Sequence, residues 1–124
     1  MSESARTLFA TAIGEAEQTA LLLDSSGAPL AGSYIDQNGR DISGEIGAAL
    51  SGVSKEVSRS MRLLSLGAWT AVVIETEAAT IALAPAAQDA VVLLASSSTV
   101  PLCLVRRVLT RSIALAINWM SGRA

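Results

Sequence analysis

The sequence predicts an α/β protein of the α+β type: a five-stranded antiparallel sheet with helices on both faces, in the chain order α-β-β-α-β-β-β-α. Three observations carry this expectation. Ile42, Ile46, Ala49, Leu50, Val53, Val57, Met61 and Leu64 recur at intervals of three and four, with Glu45, Lys55, Glu56, Arg59 and Arg62 between them. That is the period of an amphipathic helix over about residues 41–65. The apolar runs 69–75, 80–84 and 90–95 are separated only by Thr76–Ala79 and Pro85–Asp89. Connections so short hold no crossover helix, so these strands form an antiparallel meander. Finally, Leu21-Leu22-Leu23, Ala71-Val72-Val73-Ile74 and Val91-Val92-Leu93-Leu94 do not alternate with polar residues. A sheet built from them needs cover on both faces.

The elements follow in order. Leu8, Phe9, Ala12 and Ile13 at helical spacing predict a short amphipathic helix over about 3–15, with Gly14 as its stop. Residues 19–24 read as a strand, and Ser25-Ser26-Gly27 as a tight turn whose glycine supplies a positive φ. The return strand, 28–35, contains Pro29 and Gly32 and so belongs at a sheet edge. Gln37–Arg40 is a loop. Asp41 is placed to cap the long helix, Glu45 sits near its positive end, Arg59 and Arg62 near its negative end, and Gly67 follows as a stop. After the meander, Pro101 suits the first turn of a last helix running to about Met120, with Val105, Val108, Leu109, Ile113, Ile117 and Met120 as its apolar side. The middle helix is expected on one sheet face and the two terminal helices on the other.

Composition narrows the function classes. With 124 residues and no internal repeat or long linker, a single domain over 1–124 is expected. The chain is 51% hydrophobic and 16% charged, with mean hydropathy +0.48. That is more apolar surface than one small core hides easily. A net charge of −2 and only Phe9, Tyr34, Trp69 and Trp119 as aromatics argue against nucleic acid as a partner. One cysteine, Cys103, excludes an internal disulfide. No signal peptide and no membrane-length apolar run is visible. A cytoplasmic protein without membrane insertion is expected.

No catalytic constellation is present, so a binding module rather than an enzyme is expected, without cofactor or metal. The absence of histidine removes the commonest general base and zinc ligand. Cys103 reads as a buried structural thiol, and Asp24 as a turn residue. Gly47-x-x-x-x-Gly52 imitates a phosphate-binding loop, but Val53-Ser54 stands where Lys-Ser/Thr is needed, inside a helix. Arg106, Arg107 and Arg111 read as a solvated basic face.

The meander's first strand, with Trp69, Thr70, Val72, Val73 and Ile74, has no internal charge or proline to protect it as an edge. It is expected to pair with its symmetry mate in a homodimer. Gly44, Gly47, Ala48, Ser51 and Gly52 on the long helix are small enough to admit a second helix, or to seat the helix on its own sheet, with Gly47, Ala48 and Ser51 expected at the dimer interface.

The element order, together with residues 20–31 (a strand–Asp-x-x-Gly–strand hairpin), Leu64-Ser65-Leu66-Gly67, Val73-Ile74-Glu75, Thr80–Pro85 and Val91–Ala95, resembles the Roadblock/LC7 superfamily of dynein light chains and bacterial small-GTPase regulators. The likeness covers nearly the whole chain. Pro101-Leu102 departs from the glycine that many members have before the last helix. The resemblance implies a profilin-like fold, dimers joined through the third strands with the middle helices side by side, and binding to a small Ras-like GTPase. It also makes Glu45, Lys55, Glu56, Arg59 and Arg62 partner contacts. Two other functions remain open: a ligand-sensing domain of profilin-like or PAS-like architecture, and a scaffold subunit with no effect on nucleotide turnover.

Overall fold

In the computed structural model, which describes residues 1–13 and 18–122, the sheet has the order β2-β1-β5-β4-β3, every neighbouring pair antiparallel. Its strands are β1 (Gln18–Leu23), β2 (Pro29–Gly32), β3 (Val72–Glu75), β4 (Ala79–Pro85) and β5 (Val91–Ser97). The helices are α1 (Glu3–Arg6), α2 (Ala10–Ile13), α3 (Ser43–Leu63) and α4 (Leu102–Ser121). The meander β3-β4-β5 and the two edges, β2 and β3, fall as the sequence predicts.

Because successive strand residues point to opposite faces, the uniformly apolar strands feed two cores at once. Ala20, Leu22, Ala82, Ala84, Val92 and Leu94 meet Ala5 and Phe9 from the N-terminal segment and Val105, Val108, Leu109, Ala116 and Met120 from α4. On the other face Leu21, Leu23, Leu83, Val91 and Leu93 meet Ile46, Leu50 and Val53 of α3, with Tyr34, Trp69 and Val72 at the margin. The central side chains Leu21, Leu22, Leu93 and Leu94 are fully buried.

Several boundaries differ from expectation for identifiable reasons. The expected helix 3–15 is two short helices. Ser2 caps α1 at the amide of Ala5, the Thr7 hydroxyl donates to the Glu3 carbonyl, and the break lets Phe9 turn into the core. Gly14, expected as the stop, lies outside the described residues. Strand β2 ends at Gly32 instead of residue 35. Gly32 has φ +78°, and a Cβ there would meet the Ala20 carbonyl oxygen at 2.3 Å. Ile35 keeps only an isolated bridge to Asp41. Strand β3 begins at Val72, so Trp69 and Thr70 lie outside the ladder. Its last partner on β4 is Leu83, and continued pairing would run into Pro85, which has no N–H to give.

On α4, Ile117 is 39% exposed while Ser112 and Ala116 take the inward positions. Cys103 is exposed, not buried. With 3.6 residues per turn it lies opposite the Val105–Val108–Leu109–Ser112 stripe, so it is not a core thiol.

Candidate functional site

The region of interest is the α3 face together with the β3 edge. Helix α3 starts after an Asx turn in which Asp41 Oδ1 accepts from the Ser43 amide at 3.0 Å and from the Ser43 hydroxyl. The same hydroxyl oxygen accepts from the Tyr34 amide at 2.7 Å, tying the helix start to the segment after β2. The serine first and then the backbone amide hold the Asp41 carboxyl below the usual carboxylate range.

One turn on, Gly47 is buried against the β1–β2 turn. A Cβ on Gly47 would sit 2.0 Å from the Gly27 carbonyl oxygen, and one on Gly27 would sit 2.5 Å from that of Gly47. The two backbones touch. Gly27 has φ +90°, so it is required twice over, by conformation and by space. Asp24 builds this turn: its Oδ1 accepts from the Ser26 amide (2.9 Å), the Ser26 hydroxyl (2.7 Å) and the Ala28 amide (3.0 Å). These donors, the Ser26 hydroxyl foremost, lower its pKa. Asp24 is therefore a turn residue, as its spacing suggests.

The small residues of α3 thus divide. Gly47, expected at a dimer interface, is used within its own chain and is corrected to a helix seat. Ser51 is half-buried, its Cβ near Gly27. Ala48 is exposed, and Gly44 and Gly52 have open space where a Cβ would stand. Sequence reasoning could not separate the two sets, because glycine and alanine carry no amphipathic signal.

Beyond Gly47 the helix is only loosely held. Leu50, Val53, Val57 and Met61 are half-buried, and Leu63, Leu64 and Leu66 are 70%, 63% and 68% exposed. Leu64, expected on the apolar side, is instead the C-cap. The helix ends in a Schellman arrangement, Leu66 N–H to the Met61 carbonyl (3.1 Å) and Ser65 N–H to that of Arg62 (3.2 Å). The left-handed residue is Ser65, φ +55°, where glycine is usual. The expected stop, Gly67, takes φ +86° two residues later. Leu63 lies off the apolar stripe by its helical position, and these turns throw Leu64 and Leu66 outward, which helical periodicity alone does not reveal.

The charged residues lie along the outer side. Arg40 pairs with Glu45 at 3.6 Å, and Arg59 pairs with Glu56 one turn apart. This second contact lowers the Glu56 pKa and raises that of Arg59, chiefly through the hydrogen bond between them. Lys55 and Arg62 are exposed and in no ion pair among the described residues. Such exposed pairs add little stability, which leaves them free to re-pair.

Strand β3 closes the region. Val72, Val73 and Ile74 are half-buried and pair only with β4, leaving the outer backbone edge open. Between α3 and the approach to β3 runs a cleft of about 510 Å³ bounded by Met61, Arg62, Trp69 and Pro85. A smaller one of about 260 Å³ continues past Trp69 to Asp24, Lys55 and Asp89. Both open on the surface, outside the sealed sheet–helix core. No group of His, Cys, Asp and Glu suited to a metal occurs among the described residues, and no helix among them is long and apolar enough to cross a membrane.

No family model matches the sequence, and no curated protein matches it. Solved structures do match. A Roadblock/LC7 domain from Streptomyces avermitilis gives a TM-score of 0.79 at 13% identity, covering 94% of this chain and 97% of that one. MglB from Myxococcus xanthus gives 0.79 at 12% identity, over 97% of each chain. MglB in a tetrameric arrangement gives 0.73 at 21% identity, over 92% of this chain and 86% of that one. At these identities the likeness concerns the fold, and the chain has the Roadblock/LC7 fold.

Proposed function

We propose that this chain is a cytoplasmic, homodimeric binding module that engages a small Ras-like GTPase and regulates or positions it. The observation that carries the reading is the β3 edge, free of charge and proline over Val72–Ile74, beside a helix face that its own sheet leaves half-covered. Unprotected edges favour pairing with another chain, and apolar patches of this kind mark interaction surfaces. Pairing of two β3 strands brings two α3 helices side by side over the joined sheet, while Gly44, Ala48 and Gly52, opposite Ile46, Leu50 and Val53 on the helix, face outward with the charged residues. Trp69 and Thr70 flank that seam just outside the ladder.

The GTPase comes from the family resemblance. Glu45, Lys55, Glu56, Arg59 and Arg62 supply both signs of charge for a switch surface, and binding selects one of its states. The chain contains no histidine, which favours a module over an enzyme. Ligand sensing ranks below this, because the clefts are open rather than enclosed.

Calorimetric titration of candidate GTPases in both nucleotide states tests the reading. Tighter binding of one state supports it; equal or absent binding in both defeats it. A nucleotide-turnover assay with and without the protein then separates a regulator from a scaffold. Val73→Pro or Val72→Lys is expected to give monomers or aggregates by light scattering.

A further inference from the structure

Charge is sharply segregated along the chain. All eleven acidic residues precede Ala90, whereas Arg106, Arg107, Arg111 and Arg123 follow it. Three of those arginines lie on the outer side of α4, exposed, within about two helical turns. Thr110, Ala114 and Asn118 lie among and beyond them, and Leu102 and Ile117, each 39% exposed, flank the face. Helix α4 contains no acidic residue, and none of the three guanidinium groups is in an ion pair among the described residues. The helix layer on this side of the sheet, as described, carries Arg6, Arg106, Arg107 and Arg111 against Glu3 alone.

The proposed dimer doubles this patch in one plane. Two antiparallel β3 edges join into a continuous sheet only about a two-fold axis perpendicular to it, so both copies turn the same layer to the same side. The α3 helices share one broad face, and the α4 helices share the opposite one. We propose that the α4 face docks on an anionic lipid surface, leaving the α3 face for the protein partner. The doubling rests on the homodimer reading; the patch does not. Charge complementarity selects the surface: arginine forks match phosphate and carboxylate groups. An extended, flat anionic layer engages both copies together, which a single acidic peptide does not. The acidic remainder of the molecule is repelled from such a layer, so only this face approaches it.

Co-sedimentation with vesicles of phosphatidylcholine, with and without phosphatidylserine, tests the proposal, with light scattering on the same samples. The wild-type protein is expected to bind only the phosphatidylserine vesicles, more weakly as salt is raised. Each arginine removed from the patch weakens binding about fivefold, and Arg106→Gln/Arg107→Gln/Arg111→Gln on the order of a hundredfold, with the dimer intact. Arg40→Gln, an equal loss of charge in the loop before α3, leaves binding nearly unchanged. If Arg40→Gln weakens it as much as Arg107→Gln does, bulk charge and not this face is responsible, and the assignment falls. A dimer that ignores both vesicles at low salt overturns the proposal, and so does one that ignores them but binds poly-glutamate. A monomer that binds phosphatidylserine through these arginines supports the patch and overturns only the dimer.

Discussion

Helices α3 and α4 are nearly equal in length, 21 and 20 residues, and lie on opposite faces of the same sheet. Yet α4 buries Val105, Val108, Leu109, Ser112, Ala116 and Met120, whereas α3 buries only Ser43 and Gly47. The apolar residues of β1, β4 and β5 beneath α4 are at most 3% exposed, whereas those beneath α3 reach 9% at Val91 and more at the half-buried Ile81, so the looser cover extends to the sheet. Cohesion is concentrated on the α4 side, where side chains of both layers interlock. The α3 side holds its helix through a backbone contact near one end and the half-buried Ile46, Leu50 and Val53, and keeps apolar area in reserve. One face maintains the fold, and the other is available for recognition.

That contrast breaks most directly with matched truncations. Leu109→Ala, on the buried side of α4, is expected to cost about 3 kcal/mol of unfolding free energy. Leu50→Ala, on half-buried α3, is expected to cost about 1 kcal/mol when denatured at low protein concentration. Equal losses would show that the faces are held alike. Gly47→Ala probes the one tight point on the weak side. Its Cβ overlaps backbone that cannot swing away, so denaturation should show a loss of about 2 kcal/mol despite alanine's better helix propensity. A neutral or stabilising result would remove the seat.

Smaller effects sharpen the picture. Ser65→Gly relieves a left-handed residue at the helix end and should raise stability by about 0.5–1 kcal/mol. No gain in the melting temperature would mean that Ser65 is not strained. The smallest effect is electrostatic. The Asp24 carboxyl has a folded-state pKa below its ordinary value of about 3.9. The stability it contributes is therefore complete above about pH 4 and fades as pH falls through the lowered value. Because Asp24 sits half-buried in a surface turn, within reach of solvent screening, the contribution is slight. Asp24→Asn should melt lower at pH 6 and lose less on acidification, and parallel melting curves across pH would refute the role.

The sequence made the architecture legible because period and connection length are encoded in many residues at once. The long helix, the meander, the two edges and the division of helices between faces all follow from such repeated signals. Local backbone chemistry was harder to read. Gly32 ending β2, Ser65 replacing Gly67 at the helix end and the inward turn of Gly47 each depend on one φ angle or one close contact, which no pattern averages over. Cys103 reads as a core thiol from its neighbours Leu102 and Leu104, but the helical wheel places it outside. At the candidate site, the edge was visible as an unguarded apolar strand. The leucines past Leu63 were not, since their exposure depends on where the helix stops.

The Gly27–Gly47 contact has a mechanical consequence. A rod held firmly near one end and lightly elsewhere behaves as a lever with its fulcrum at the holding point. Load applied near Leu63 by a bound protein would swing that tip through the largest arc and pass torque back to the hairpin apex at Ser25–Gly27. Amide exchange along α3 should accordingly quicken from Gly47 towards Leu63, a gradient that a uniformly clamped helix would not show.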